Sequence, residues 1–90
     1  MKKVFLKKQI QKDLKKLPRY IVVSLDKWIR IIDEEGYENI KKIKGYKDHA
    51  LKGNRKNQRS SYLSKSYRVI YQVTKEDIEI LEVNKHEYKK

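Results

Sequence analysis

Tyr67-Arg68-Val69-Ile70-Tyr71-Gln72-Val73, then Thr74-Lys75-Glu76-Asp77, then Ile78-Glu79-Ile80-Leu81-Glu82-Val83 is the stretch in which the hydrophobic period becomes two. Val69, Tyr71 and Val73 alternate with Arg68, Ile70 and Gln72, and Ile78 and Ile80 alternate with Glu79 and Leu81. That period marks strands with one buried face. The gap Lys75-Glu76-Asp77 is of hairpin length, which makes the two strands antiparallel neighbours. Upstream, Tyr62 leads a further candidate strand, Arg59–Ser64, joined through the short gap Lys65-Ser66. The result is a meander, to which Val4, Phe5 and Leu6 can add a short strand from the N-terminus.

Ahead of the meander the period is helical. Leu6, Ile10, Leu14 and Leu17 fall on one stripe, with Lys7, Lys8, Lys12, Lys15 and Lys16 around the other faces. Pro18 disfavours a helical Leu17 and suits the first turn of a new helix. Ile21, Leu25, Trp28, Ile29 and Ile32 then make a second apolar stripe, closed by Gly36 as a C-terminal cap. Trp28 reads as packing between helix and sheet. Two helices followed by three or four strands predict an α+β domain: an N-terminal helical hairpin on one face of a small, mainly antiparallel sheet. Its 90 residues form one domain, 1–90.

Between these halves the pattern weakens. Ile40 and Ile43 suit a short helical turn, and Lys52-Gly53-Asn54-Arg55-Lys56-Asn57-Gln58-Arg59 reads as a cationic loop. Such a charge run is ordinarily a solvated surface. Beside a sheet, Lys52, Arg55, Lys56 and Arg59 equally suit contact with phosphates. The whole chain leans the same way, with 24 Lys+Arg against 12 Asp+Glu for a formal charge of +12. The fitting partners are polyanions, with nucleic acid favoured, an acidic protein next, and a membrane surface disfavoured because the apolar faces are needed for the core. There is no cysteine, which excludes a disulfide scaffold, a Cys-ligated zinc site and a thiol nucleophile. No apolar run is long enough to span a membrane, and the N-terminus lacks the apolar stretch of a signal peptide, so a soluble cytoplasmic domain is expected.

Few residues can move protons. The histidines are His49 and His86, and His86 stands in Asn84-Lys85-His86-Glu87-Tyr88, where nearby lysines disfavour a second positive charge and keep the ring neutral. Glu87 and Tyr88 add a carboxylate and a phenol. Metal-free RNA cleavage needs a base for the ribose 2′-OH, cations for the phosphorane and an acid for the departing 5′-oxygen. Arg59 and Arg68 lie on neighbouring candidate strands, so both are expected to face one concave site; Tyr46, Tyr62, Tyr67 and Tyr71 are candidate base platforms. The plainer alternatives are that Tyr62 and Tyr71 belong to the core and that the terminal His-Glu-Tyr is an exposed tail. No metal site is indicated, since His49 and His86 lack clustered carboxylates.

The run His49-Ala50-Leu51-Lys52-Gly53-Asn54-Arg55-Lys56-Asn57-Gln58-Arg59, followed by Ser66-Tyr67-Arg68-Val69-Ile70-Tyr71 and ending Leu81-Glu82-Val83-Asn84-Lys85-His86-Glu87-Tyr88, resembles the RelE/ParE superfamily of toxin–antitoxin toxins, with the HigB and YoeB branches nearest. The order of motifs covers nearly the whole chain. The resemblance implies a ribosome-dependent endonuclease that cuts mRNA without metal or cofactor, by 2′-OH attack leaving a 2′,3′-cyclic phosphate and a 5′-OH. It implies Arg68 as holder of the scissile phosphate, and His86 and Tyr88 at the terminal acid/base positions. His49 falls where relatives carry a possible base, and Lys52, Arg55, Lys56 and Arg59 would anchor RNA. Glu87 stands between His86 and Tyr88, which leaves the division of acid and base among His49, His86, Glu87 and Tyr88 open. The expected partners are the ribosome with its mRNA and a cognate antitoxin whose acidic segment wraps a monomeric toxin. Two alternatives stay beside this: a ParE-like poison of DNA gyrase, and a non-catalytic basic RNA-binding module.

Overall fold

The computed structural model describes residues 2–85. The chain begins with strand β1 (Lys3–Leu6) and helix α1 (Lys8–Asp13), which tightens into a 3₁₀ turn at Leu14–Lys16. Leu17 is extended, with φ −82° and ψ 149°, as the residue before a proline must be, and Pro18 caps the long helix α2 (Arg19–Glu35). Gly36 ends α2 at φ 93°, a conformation that side chains resist, while its N–H still reaches the Ile32 carbonyl at 3.0 Å. A short helix α3 (Glu38–Lys42) and a 3₁₀ turn (Lys44–Tyr46) lead into β2 (His49–Ala50), β3 (Gln58–Tyr62), β4 (Tyr67–Val73) and β5 (Asp77–Lys85).

The α+β layout is the one expected, and the meander carries two further partners. The sheet order is β1-β5-β4-β3-β2, with β1 parallel to β5 and the other pairs antiparallel. Five strands thus replace the expected three or four. The added one, β2, is a two-residue strand pairing His49 with Ser60 and Ala50 with Arg59. It is too short to show any hydrophobic period.

Ile21, Leu25, Trp28 and Ile32 of α2 are all buried, at helical spacing, against Val69, Tyr71, Ile78, Ile80 and Val83 of the sheet. Burial of each such side chain stabilises the fold by roughly 1.5–3 kcal/mol before conformational entropy is subtracted. Ile10 of α1, with Tyr37 and Ile40, completes the cluster. Ile80 and Val83 are three apart, which strict alternation forbids on one face. A bulge resolves this: Tyr71 pairs with Ile80 and Ile70 with Glu82, so Leu81 is the extra residue. Beyond it, Val83 turns into the core and Glu82 onto the sheet's other face.

Candidate active site

Directly paired residues of antiparallel strands share a face, so the register sorts the candidate groups. Tyr71 is fully buried in the helix-side core, and Arg59 pairs with it. Arg68 pairs with Tyr62 on one side and Asn84 on the other, on the opposite, open face. The two arginines therefore do not face one site, as the sequence suggested. Nine residues apart, they fall on opposite parity once the β3–β4 register is set.

The face away from the helices, the open face, has a row His49–Ser60–Ile70–Glu82 across β2, β3, β4 and β5, beside the row Tyr62–Arg68–Asn84. In the first row His49 is exposed, Glu82 half-buried, and Ser60 and Ile70 fully buried. From standard strand spacing and rise, His49 and Arg68 have Cα atoms roughly 12 Å apart, near enough for both side chains to meet one phosphodiester. His49 is exposed, and its Nδ1 lies 2.8 Å from the Lys47 carbonyl. A carbonyl only accepts, so Nδ1 carries a proton, which in the neutral form of the ring puts the lone pair on Nε2.

Arg68 is held by a polar chain. Its Nε donates to Asn84 Oδ1 at 3.2 Å, and Asn84 Nδ2 donates to Glu82 Oε1 at 3.0 Å. Glu82 Oε2 in turn accepts from an Arg55 terminal nitrogen at 2.5 Å, and Arg55 Nε donates to Gln58 at 3.1 Å. Among the described residues the terminal nitrogens of Arg68 carry no bond, and a planar fork suits a phosphate. Of the four expected RNA anchors, Lys52 and Lys56 are exposed, Arg55 is paired with Glu82, and Arg59 is paired with Asp48. His86, Glu87 and Tyr88 lie outside the described residues. Among the described residues no group of His, Cys, Asp or Glu is arranged to hold a metal ion.

Asp48 escaped the sequence reading. Its side chain is fully buried on the helix side, where it accepts from Arg59 Nε at 2.7 Å, from Ser61 Oγ at 2.5 Å and from the Tyr71 hydroxyl. The Tyr37 hydroxyl lies 3.4 Å behind that of Tyr71. Burial pushes the Tyr71 phenol far above its ordinary range, with the bond to Asp48 adding to the effect, and burial raises Tyr37 as well. One signal was there to find: Asp48 is the only acidic residue between Glu38 and Glu76. Of the candidate base platforms, Tyr71 is thus core and Tyr62 is half-buried, with Lys47 Nζ 5.9 Å from its ring centre.

Residues 4–89 match the family described as the ParE toxin of the type II toxin–antitoxin system parDE. No curated protein sequence matches the chain. A copper-bound mutant toxin from Helicobacter pylori is similar at 26% identity and a TM-score of 0.71, with 96% of each chain covered. The RelE–RelB complex of the archaeon Pyrococcus horikoshii is similar at 26% identity and a TM-score of 0.72, over 93% of each chain. YafQ from E. coli shares the fold at 17% identity and a TM-score of 0.77, over 96% of this chain and 94% of that one. With nearly its whole length matched and its sheet and helices arranged alike, the chain belongs to the RelE/ParE superfamily of type II toxin–antitoxin toxins.

Proposed function

We propose that this toxin is a ribosome-dependent mRNA endonuclease that inhibits translation using its own side chains, without metal or cofactor. The observation that carries the reading is the shared open face of His49 and Arg68, one able to offer a lone pair on Nε2 and the other a guanidinium that, among the described residues, is engaged through Nε alone. His49 would take the proton of a ribose 2′-OH while the 2′-oxygen bonds to phosphorus. Arg68 would stabilise the crowded phosphorane, and the P–O5′ bond then breaks as an acid protonates the 5′-oxygen. His86, Glu87 and Tyr88 are the candidates for that acid. Lys52 and Lys56 would hold flanking phosphates, joined by Arg55 if RNA displaces Glu82.

The partner reading follows the same chemistry. Solved relatives include the RelE–RelB complex from Pyrococcus horikoshii and the YoeB–YefM complex from Staphylococcus aureus. For a chain of charge +12 we propose a cognate antitoxin whose acidic segment covers the open face. The free toxin would be a monomer acting in the cytoplasm.

The test is a translation reaction with purified protein, mapping mRNA 5′ ends by primer extension beside the Arg68→Ala variant. Cuts at codon positions, absent from the folded variant, are expected; cleavage surviving in Arg68→Ala would sink the assignment. A second reading, poisoning of DNA gyrase, is favoured by the ParE description of the matching family. Growth arrest with intact message and broken DNA would establish it instead.

A further inference from the structure

His49 stands on a strand of two residues at the edge of the sheet, where two cross-strand pairs alone would let the backbone fray. We propose that Asp48 is a positioning residue that sets the His49 imidazole for proton abstraction, an inference that rests on the endonuclease reading for its catalytic part. The Asp48 carboxylate bridges from its own segment to β3 through Arg59 and Ser61 and to β4 through Tyr71. Three donors on one buried carboxylate fix its backbone position far more firmly than the short ladder does. The next residue along an extended chain points to the other face, so an anchor buried on the helix side places His49 on the open side.

The residue before Asp48 completes the device. Lys47 has φ 44° and ψ 43°, a left-handed conformation rare for a side-chain-bearing residue. That turn presents the Lys47 carbonyl to His49 Nδ1 at 2.8 Å. Lys47 is exposed, and the contact of its ammonium with the Tyr62 ring, 5.9 Å from the ring centre, is weak against the cost of a disfavoured conformation, so the shape needs a further support. The anchor at Asp48 supplies it: with the following residue fixed, the chain must turn at Lys47 to enter β2. Asp48 thus acts on His49 twice, through the direction of the side chain and through the tautomer that leaves Nε2 unprotonated.

The test joins spectroscopy of the free toxin to cleavage kinetics. In the wild type, imidazole ¹⁵N spectra should show His49 as the Nδ1-protonated tautomer. In Asp48→Asn, and to a lesser degree in Ser61→Ala, that tautomer should give way to a mixture. On translated message, Asp48→Asn should lower kcat by roughly 10–100-fold with KM changed less than about twofold. Adding His49→Gln to Asp48→Asn should cost little more than His49→Gln alone, because both changes act through one group. Ser61→Ala removes a single hydroxyl and keeps the test open should Asp48→Asn fail to fold. An unchanged tautomer in both variants, or losses from Asp48→Asn and His49→Gln that multiply, would overturn the proposal. If His49→Gln alone cuts at the wild-type rate, the base assignment falls, and the imidazole spectrum still decides whether Asp48 sets the ring.

Discussion

Replacing Tyr71 by Phe removes one hydroxyl from the centre of the fold and nothing else. The ring keeps its edge contacts with Trp28, at 4.9 Å between centres, and with Tyr37, at 5.9 Å, so no apolar cavity opens. What goes is a hydrogen bond to the Asp48 carboxylate and the acceptor behind which the Tyr37 hydroxyl sits. Asp48 is left with Arg59 and Ser61, so it stays paired but loses a donor. A bond to a charged group contributes about 1.5–3 kcal/mol, and for a domain of this size each kcal/mol moves Tm by about 4–8 °C. Tyr71→Phe should therefore lower Tm by roughly 6–24 °C. Trp28, the chain's single tryptophan and fully buried beside Tyr71, reports unfolding by its fluorescence in urea or on heating. A loss below about 0.5 kcal/mol would refute the claim that this hydroxyl serves the buried Asp48–Arg59 pair.

Further outcomes can be checked alongside. Tyr71 keeps its proton in the folded state at pH values where the unfolded chain, titrating at about 10, has lost it. The contribution of Tyr71 to stability is thus constant below about pH 10 and falls above it, by up to about 1.4 kcal/mol per pH unit. Burial raises Tyr37 and Tyr46 as well, so the alkaline fall in urea midpoints should be shallower in Tyr71→Phe, not absent. Deleting Leu81 removes only the bulge residue and leaves Glu82 and Val83 on their faces, so a folded protein within about 2 kcal/mol of wild type is expected, whereas deleting Gln72 reverses every side chain beyond it and should unfold the chain. Gly36→Ala meets no atom within 4 Å and should cost about 1 kcal/mol from its φ of 93° alone, read as a Tm drop. Glu82→Gln breaks a half-exposed ion pair and should move stability by less than about 1 kcal/mol, yet bind single-stranded RNA more tightly in anisotropy titrations with a steeper salt dependence.

The helical hairpin was legible because Ile21, Leu25, Trp28 and Ile32 repeat at the spacing of a helix face and Pro18 and Gly36 punctuate it. β4 and most of β5 were legible through their alternation. The remainder depends on register, which periodicity does not encode. The bulge at Leu81 shifts the face of everything after it, so Glu82 on the open face and Val83 in the core contradict a simple reading of the strand. Asp48 meets Arg59, Ser61 and Tyr71 only because three strands bring distant positions side by side. For the same reason nothing in the basic loop foretold that Arg59 pairs with a buried acid. A lone carboxylate inside a long basic segment was the one sequence sign of that arrangement.

The two acids Asp48 and Glu82 stand on opposite sides of the sheet, and their placement explains how the face that carries His49 and Arg68 can be ordered by carboxylates and still meet a phosphate. A carboxylate within the open face weakens attraction for phosphate, so Asp48, which organises β2, does its work from behind the sheet, where its charge is taken up by Arg59. Glu82 stays in front and partly offsets the field there. Its other oxygen gives the reason: by accepting from Asn84 Nδ2 it leaves Asn84 only one way to point its carbonyl, toward Arg68 Nε. Under the proposed reaction, an arginine so oriented can offer both terminal nitrogens to a phosphorane without searching for a rotamer. Affinity and rate should then part in Glu82→Gln. Loss of its charge favours RNA binding, while an amide that can also donate no longer dictates which way Asn84 turns, so cleavage slows as binding tightens.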